Sequence, residues 1–153
     1  NDSKTLNFQT RQNMDRYIRE NAVDFAIAEL PPEFIDQHNI LNASLHAMHL
    51  ALDQLKTRPE LILVDGNRFH PYNYIPHHCI IKGDSQYLSI AAASILAKNY
   101  RDNLMIKLHE EFPQIKFRKT QFAKFRHTNI TLKYFQCLKQ KRHSVSKKSR
   151  RHE

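Results

Sequence analysis

The sequence predicts an α/β domain, a mixed sheet flanked by helices, and three observations carry that prediction. The run Leu61-Ile62-Leu63-Val64 closes on Asp65-Gly66-Asn67, the pattern of a fully buried strand ending in a turn. From Gln86 to about Glu111 no glycine or proline interrupts a stretch of helical period. Along the chain the elements read as helix, strand, helix, strand, strand, helix, an order that builds a mixed α/β layer.

Each element has its own signals. The chain opens on Asn1 rather than Met, as expected where a leader has been removed or a sequence begins inside a protein, and Asp2-Ser3-Lys4 reads as a loop. Asn7 can cap a helix running to about Glu20, with Phe8, Met14, Tyr17 and Ile18 as its apolar side. Val23 to Glu29 sets Val23, Phe25 and Ile27 against Asp24, Ala26 and Ala28, a strand with one better-buried face, and Pro31-Pro32 ends it. Glu33 to Gln37 reads as a short helix. Asn39 to Lys56 reads as a long one whose Leu41, Leu45, Met48, Leu52 and Leu55 fall four and three apart and form core. Thr57-Arg58-Pro59 closes it before the strand at Leu61. After Asp65 comes a Tyr- and Pro-rich excursion, Arg68 to Pro76, and then a strand from His77 to Ile81.

Gly83-Asp84-Ser85 announces the last helix, with Asp84 or Ser85 as its cap. At about 100° per residue one stripe of that helix holds Leu88, Ala91, Ile95, Asn99, Asp102 and Ile106. The opposite stripe holds Ile90, Ala93, Ala97, Tyr100, Leu104 and Leu108, so both faces are expected to pack. Asp102 is the anomaly, because a carboxylate on a core-facing stripe is costly unless it is paired, hydrogen-bonded or metal-bound. Alone it is accounted for by a pair with Lys98 or Arg101, and Asp65 by an ordinary Asp-Gly turn. Together, two acids delivered by a strand end and a packed helix make the arrangement a divalent cation needs.

At this point pattern passes into resemblance. Val64-Asp65-Gly66-Asn67, Lys82-Gly83-Asp84, and Ile90-Ala91-Ala92-Ala93-Ser94-Ile95-Leu96-Ala97-Lys98 closing on Tyr100-Arg101-Asp102 resemble the signature of type 2 ribonucleases H, in particular bacterial ribonuclease HII. Asn1-Asp2-Ser3-Lys4, Ile35-Asp36, Asn39-Ile40-Leu41 and Ala47-Met48 fit the same family in the same order, over roughly residues 1 to 113. The resemblance implies a ribonuclease H-like fold and metal-dependent cleavage of RNA in RNA/DNA hybrids, including single ribonucleotides in duplex DNA. Two Mg²⁺ or Mn²⁺ ions would serve the reaction, leaving 5′-phosphate ends. Asp65 and Asp102 would correspond to two of the family's four catalytic acids and be metal ligands. Lys4 and Lys82 would steady phosphate, and Asn67 would orient Asp65.

Two departures qualify those expectations. The family's first strand carries an Asp-Glu pair in a Gly-Arg-Gly context, and the sequence as read is expected to start after the point where that strand ends. The fold expected is therefore N-terminally truncated, with weak metal binding, poor cleavage, and an unpaired edge at Val23 to Glu29 that leaves marginal stability or association. No oligomer is expected of the complete protein. The family also continues with a Lys-Gly-Tyr-Gly-Thr-like segment, whereas no glycine or tyrosine lies between Lys116 and Lys133.

Composition bounds the rest. At 153 residues, 41% hydrophobic and 25% charged, the chain is one soluble domain's worth of sequence. No apolar run approaches a membrane span, so no membrane partner is expected. Cys79 and Cys137 have no metal-ligand spacing; Cys79 is expected as a buried thiol, and a reducing cytoplasm as the setting. His46 and His49 are expected to be solvated or stacking rather than zinc ligands. Charge divides the chain in two. Residues 114–153 carry 13 Lys or Arg against one acid, while residues 1–113 carry 11 against 14, so a catalytic domain over 1–113 and a basic segment over 114–153 are expected, the last part disordered. Phe122, Phe125 and Tyr134 among those cations suit backbone phosphates and stacked bases. A reading of another class follows from that end alone: a noncatalytic nucleic-acid-binding remnant acting through its basic C-terminus.

Overall fold

The computed structural model describes residues 7–114 and 133–135. Asn7 starts the first helix, α1 (Phe8–Asn21), because its side-chain oxygen accepts the Thr10 amide at 2.8 Å and satisfies one of the unpaired donors of the first turn. The apolar side expected of α1 faces outward, with Phe8, Met14 and Tyr17 all exposed. What docks the helix is Arg11, at 7% exposure the one buried residue on it. β1 (Ala26–Ala28) follows, and of the two faces that alternate there the buried one is the alanine face, Ala26 and Ala28. Small residues win because α2 packs closely there.

α2 (Pro32–Asp53) contains the two expected helices joined at Asn39, whose φ of 61° and ψ of 162° break the helical path. The Asn39 side-chain oxygen accepts the amides of Leu41 and Asn42, so the kink is also the N-cap of the second half. Leu30, Ile35, Ala43 and Ala47 fill the angle between the halves. Beyond it, Leu45, Met48, Ala51 and Leu52 bury against Ile62 and Val64 of β2 (Ile62–Asp65), Phe69 and Ile75. Side chains of this size stabilise by about 1.5–3 kcal/mol each when fully buried, so this cluster is the main core. Asp24 ties the far end of α2 to the β1 side by accepting the Lys56 and Thr57 amides at 2.6 and 2.9 Å.

β2 pairs in parallel with β3 (His77–Ile80), in the register Ile62 to His77 and Asp65 to Ile80. The return between them is the expected Tyr- and Pro-rich excursion. Its tip is a turn closed by the Ile75 amide on the Tyr72 carbonyl, with Asn73 and Tyr74 both at positive φ. Cys79 on β3 is exposed, not buried as expected, on a strand none of whose residues is buried. α3 (Leu88–Glu111) then packs against β2 and against α1, as its two apolar stripes require. Its core residues are Ile90, Ala93, Ile95, Leu96 and Asn99, while Leu88 is 83% exposed. β4 (Lys133–Phe135) pairs antiparallel with β1, so a strand drawn from the basic segment shares a sheet with the first part of the chain. The fold is thus mixed α/β, as the sequence predicts. Among the described residues no helix is long and apolar enough to cross a membrane.

Candidate functional site

Asp65 is the last residue of β2 and is exposed, where a core strand runs out into solvent. Its Oδ1 accepts the Gly83 amide at 3.0 Å. Gly83 opens a 3₁₀ turn, Gly83–Ser85, set up by Lys82 in the left-handed conformation (φ 56°, ψ 42°). The turn is held by the Gln86 and Tyr87 amides on the Gly83 carbonyl and by the Ser85 hydroxyl donating to the Lys82 carbonyl. Gly83 itself is required by close approach: a Cβ there would stand 2.5 Å from Ile90 Cδ1. Asp84 and Ser85 therefore do not cap α3, contrary to expectation. They form a separate turn, and α3 starts at Leu88 behind the uncapped Tyr87.

The consequence for the site lies in Asp84. β2 and β3 are parallel, so their carboxyl ends lie side by side, and that edge of an α/β sheet is where ligands bind. Asp65 stands at one end, and Asp84 four residues past its register partner Ile80, adjacent to the glycine that bonds Asp65. Asp84 is half-buried, and no described residue donates to its carboxylate.

Asp102 is placed differently. Its carboxylate is bound by Arg11 Nη2 at 2.6 Å and Lys98 Nζ at 3.0 Å. Arg11 Nε also donates to Asn99 Oδ1 at 2.9 Å, and Asn99 Nδ2 returns a bond to the Arg11 carbonyl at 3.1 Å. Lys98 is a partner expected from the sequence; Arg11 is not. Asp102 lies twelve residues beyond Ile90, which touches Gly83, and at 1.5 Å rise per residue that is about 18 Å along the helix. A shared cation holds its ligand oxygens about 2.0–2.6 Å away. Asp65 is thus tied to the Gly83 turn and Asp102 to Arg11 and Lys98, so the two acids expected to share a metal are held by different partners.

The other expected residues divide. Lys82 is exposed beside Asp84, where its cation can meet phosphate. Asn67 is exposed two residues beyond Asp65, but the donor that orients Asp65 is the Gly83 amide. Lys4 lies outside the described residues. Among those described, no three His, Cys, Asp or Glu side chains group as a metal-binding set.

A family model for ribonuclease HII matches residues 1–146, nearly the whole chain. The chain belongs to the ribonuclease HII family. It is 55% identical over 121 residues to the ribonuclease HII of Christiangramia forsetii, covering 79% of this chain and 61% of that protein. With the ribonuclease HII of Bacteroides fragilis it shares 58% identity over 113 residues, 74% of this chain and 56% of that one. With that of Chloroherpeton thalassium it shares 49% over 116 residues, 76% and 57% respectively. The chain thus spans about three fifths of the length of the curated ribonucleases HII it matches.

The donor chemistry of Asp65 and Asp84 fits a hard divalent cation. Mg²⁺ keeps several waters and is bound through one or two carboxylates plus substrate phosphate, and Mn²⁺ suits the same oxygen donors. Asp84 was already legible as part of the Lys82-Gly83-Asp84 motif.

Proposed function

We propose that this ribonuclease HII chain contributes to endonucleolytic hydrolysis of RNA in RNA/DNA hybrids, including at single ribonucleotides in duplex DNA, giving 5′-phosphate ends. The observation that carries it is the pairing of Asp65 with the Gly83-Asp84 turn at the carboxyl ends of two parallel strands. Asp65 and Asp84 would hold Mg²⁺ or Mn²⁺, which when bound supplies charge stabilisation for phosphodiester hydrolysis. The Gly83 amide fixes one Asp65 oxygen and leaves the other free to point outward. Lys82 receives a phosphate oxygen of the substrate strand. Asp102 acts at a distance, as the anchor that holds α1 on α3.

The test is cleavage of a duplex bearing one ribonucleotide, with Mn²⁺, alongside Mn²⁺ binding read from the paramagnetic relaxation of water. Asp65→Asn and Asp84→Asn each lose Mn²⁺ binding and the cleavage that the parent chain shows, in line with a lost electrostatic contributor at a reacting centre. Asp102→Asn keeps Mn²⁺ binding. Loss of Mn²⁺ in Asp102→Asn with none in Asp84→Asn would return the site to α3 and overturn this assignment.

A further inference from the structure

Two residues beyond Asp65 the chain enters a groove that the reaction above does not use. Asn67 and Arg68 open it, His70 lies at its middle, and His46 and His38 stand at its far end on α2. Its two compartments, of about 470 and 520 Å³, share Asn42, Leu45 and His70 in their linings and so lie side by side along α2.

The lining has a definite chemistry. His38 and His46 both stack on Phe34, with ring centroids 4.1 and 4.9 Å apart and planes inclined by only 15° and 17°. Farther along, the His49 ring nitrogen lies 3.0 Å from the His70 carbonyl, which can only accept, so His49 donates there and fixes the backbone of the loop. His49 is itself packed edge-on against Phe69 and Tyr72. The result is a row of flat rings and imidazole N–H donors. Among the described residues Arg68 is the one permanently charged side chain in the lining, and no Asp or Glu contributes to it. That absence is informative, because residues 1–113 hold 14 acids and carry a net negative charge. No group of three potential metal ligands forms among the described residues, so the histidines do not make a ready cation site.

We propose that this groove carries one strand of the nucleic-acid substrate away from the catalytic edge, with Arg68 and His70 meeting backbone phosphates and the Phe34-His38-His46 stack receiving a base. Phosphates favour a cationic, acid-free lining, and bases stack on aromatic planes without regard to sequence. Continuity supports the same occupant: Arg68 is three residues from Asp65, at most about 10 Å of extended chain. The inference rests on the function proposed above and extends it to the path of the strand.

The experiment uses the whole 153-residue chain, an RNA/DNA hybrid labelled with fluorescein, and EDTA to prevent cleavage. Binding is read by fluorescence anisotropy, and the histidine ring signals by ¹H–¹³C NMR, assigned with His38→Gln, His46→Gln and His70→Gln. The hybrid shifts the ring signals of His38, His46 and His70, and Arg68→Gln combined with His70→Gln weakens binding about tenfold, the loss expected for one stacking or phosphate interaction. Unmoved ring signals, with the double variant binding within twofold of the parent, overturn the proposal. So does movement of the same signals by Zn²⁺ alone, or by raising the protein concentration alone, when the hybrid leaves them in place. Asp65→Asn separates the two readings. Intact cleavage in that variant removes the catalytic assignment and leaves the groove result standing, whereas lost cleavage with an indifferent groove removes only the groove.

Discussion

At the scale of single residues, what separates Asp65 and Asp84 from Asp102 is the cation each already has. Asp102 is matched by Arg11 and Lys98, so its charge is spent inside the fold, while no described cation pairs with Asp65 or Asp84. Arg11 carries the larger stake. Its side chain is 9% exposed, and it bonds both Asp102 and Asn99, the latter at 1% exposure. Removing one partner of a buried pair leaves an uncompensated charge and costs about 3–5 kcal/mol. Arg11→Ala is therefore expected to destabilise by about 3 kcal/mol, at the low end because Asp102 keeps Lys98 and is 18% exposed. Urea unfolding monitored by circular dichroism checks this, and a loss under about 1 kcal/mol, no more than an exposed ion pair gives, would mean α1 is held by other means. Tyr100 gives a pH signature. Burial first, then its hydrogen bond to Glu29, raises the phenol above its ordinary 10.0. A group whose pKa is raised on folding contributes stability that is whole below the unfolded value and is lost as pH climbs through the folded one. Stability should fall on the alkaline side of about pH 10, and Tyr100→Phe should flatten that fall in a series of melting curves.

At the scale of elements, the Gly83 turn joins the site to the core. A Cβ at Gly83 would meet Ile90 Cδ1 at 2.5 Å and Ile80 Cβ at 3.4 Å, so Gly83→Ala must displace α3 or the turn. Overpacking of this kind costs about 1–3 kcal/mol, and here the displaced group is the amide that fixes Asp65. Ile90→Val removes the clashing methyl, so the double variant is expected to recover most of the stability and Mn²⁺ affinity that Gly83→Ala loses. A double variant no better than Gly83→Ala would place the strain in the backbone instead. The same elements show what the sequence could reveal. The order of helices and strands was legible because period and punctuation are local, and so was the break at Asn39. The docking face of α1 was not, because Arg11 owes its burial to Asn99 and Asp102, far along the chain. Nor was Asp84 distinguishable from a cap, since a 3₁₀ turn and a helix start share the same Gly-Asp-Ser signal. Cys79 misled for a related reason: its place in a strand next to the core strand says nothing about what covers that strand's faces, and no residue of β3 is buried.

At the scale of the whole molecule, charge and fold are shared unequally along the chain. Of the 13 Lys or Arg in residues 114–153, seven lie in residues 139–153, beyond β4. Because β4 pairs with β1, cutting at residue 114 would take away a strand together with the charge, and weaker binding there would be ambiguous. Cutting after Leu138 keeps β4 and removes about half of the basic residues of that segment. For a duplex, the logarithm of the binding constant falls with the logarithm of salt concentration with a slope of about −0.9 per neutralised phosphate. If residues 139–153 meet the substrate backbone, removing them should weaken binding of the hybrid at low salt and make the salt slope shallower by about 0.9 for each phosphate no longer neutralised, with thermal stability unchanged. Fluorescence anisotropy of the labelled hybrid across a salt series, beside a melting curve, measures both. An unchanged slope would assign the phosphate interactions to residues 1–138, Arg68 and Lys82 among them. A lowered melting temperature would show instead that residues 139–153 support the sheet that β4 completes.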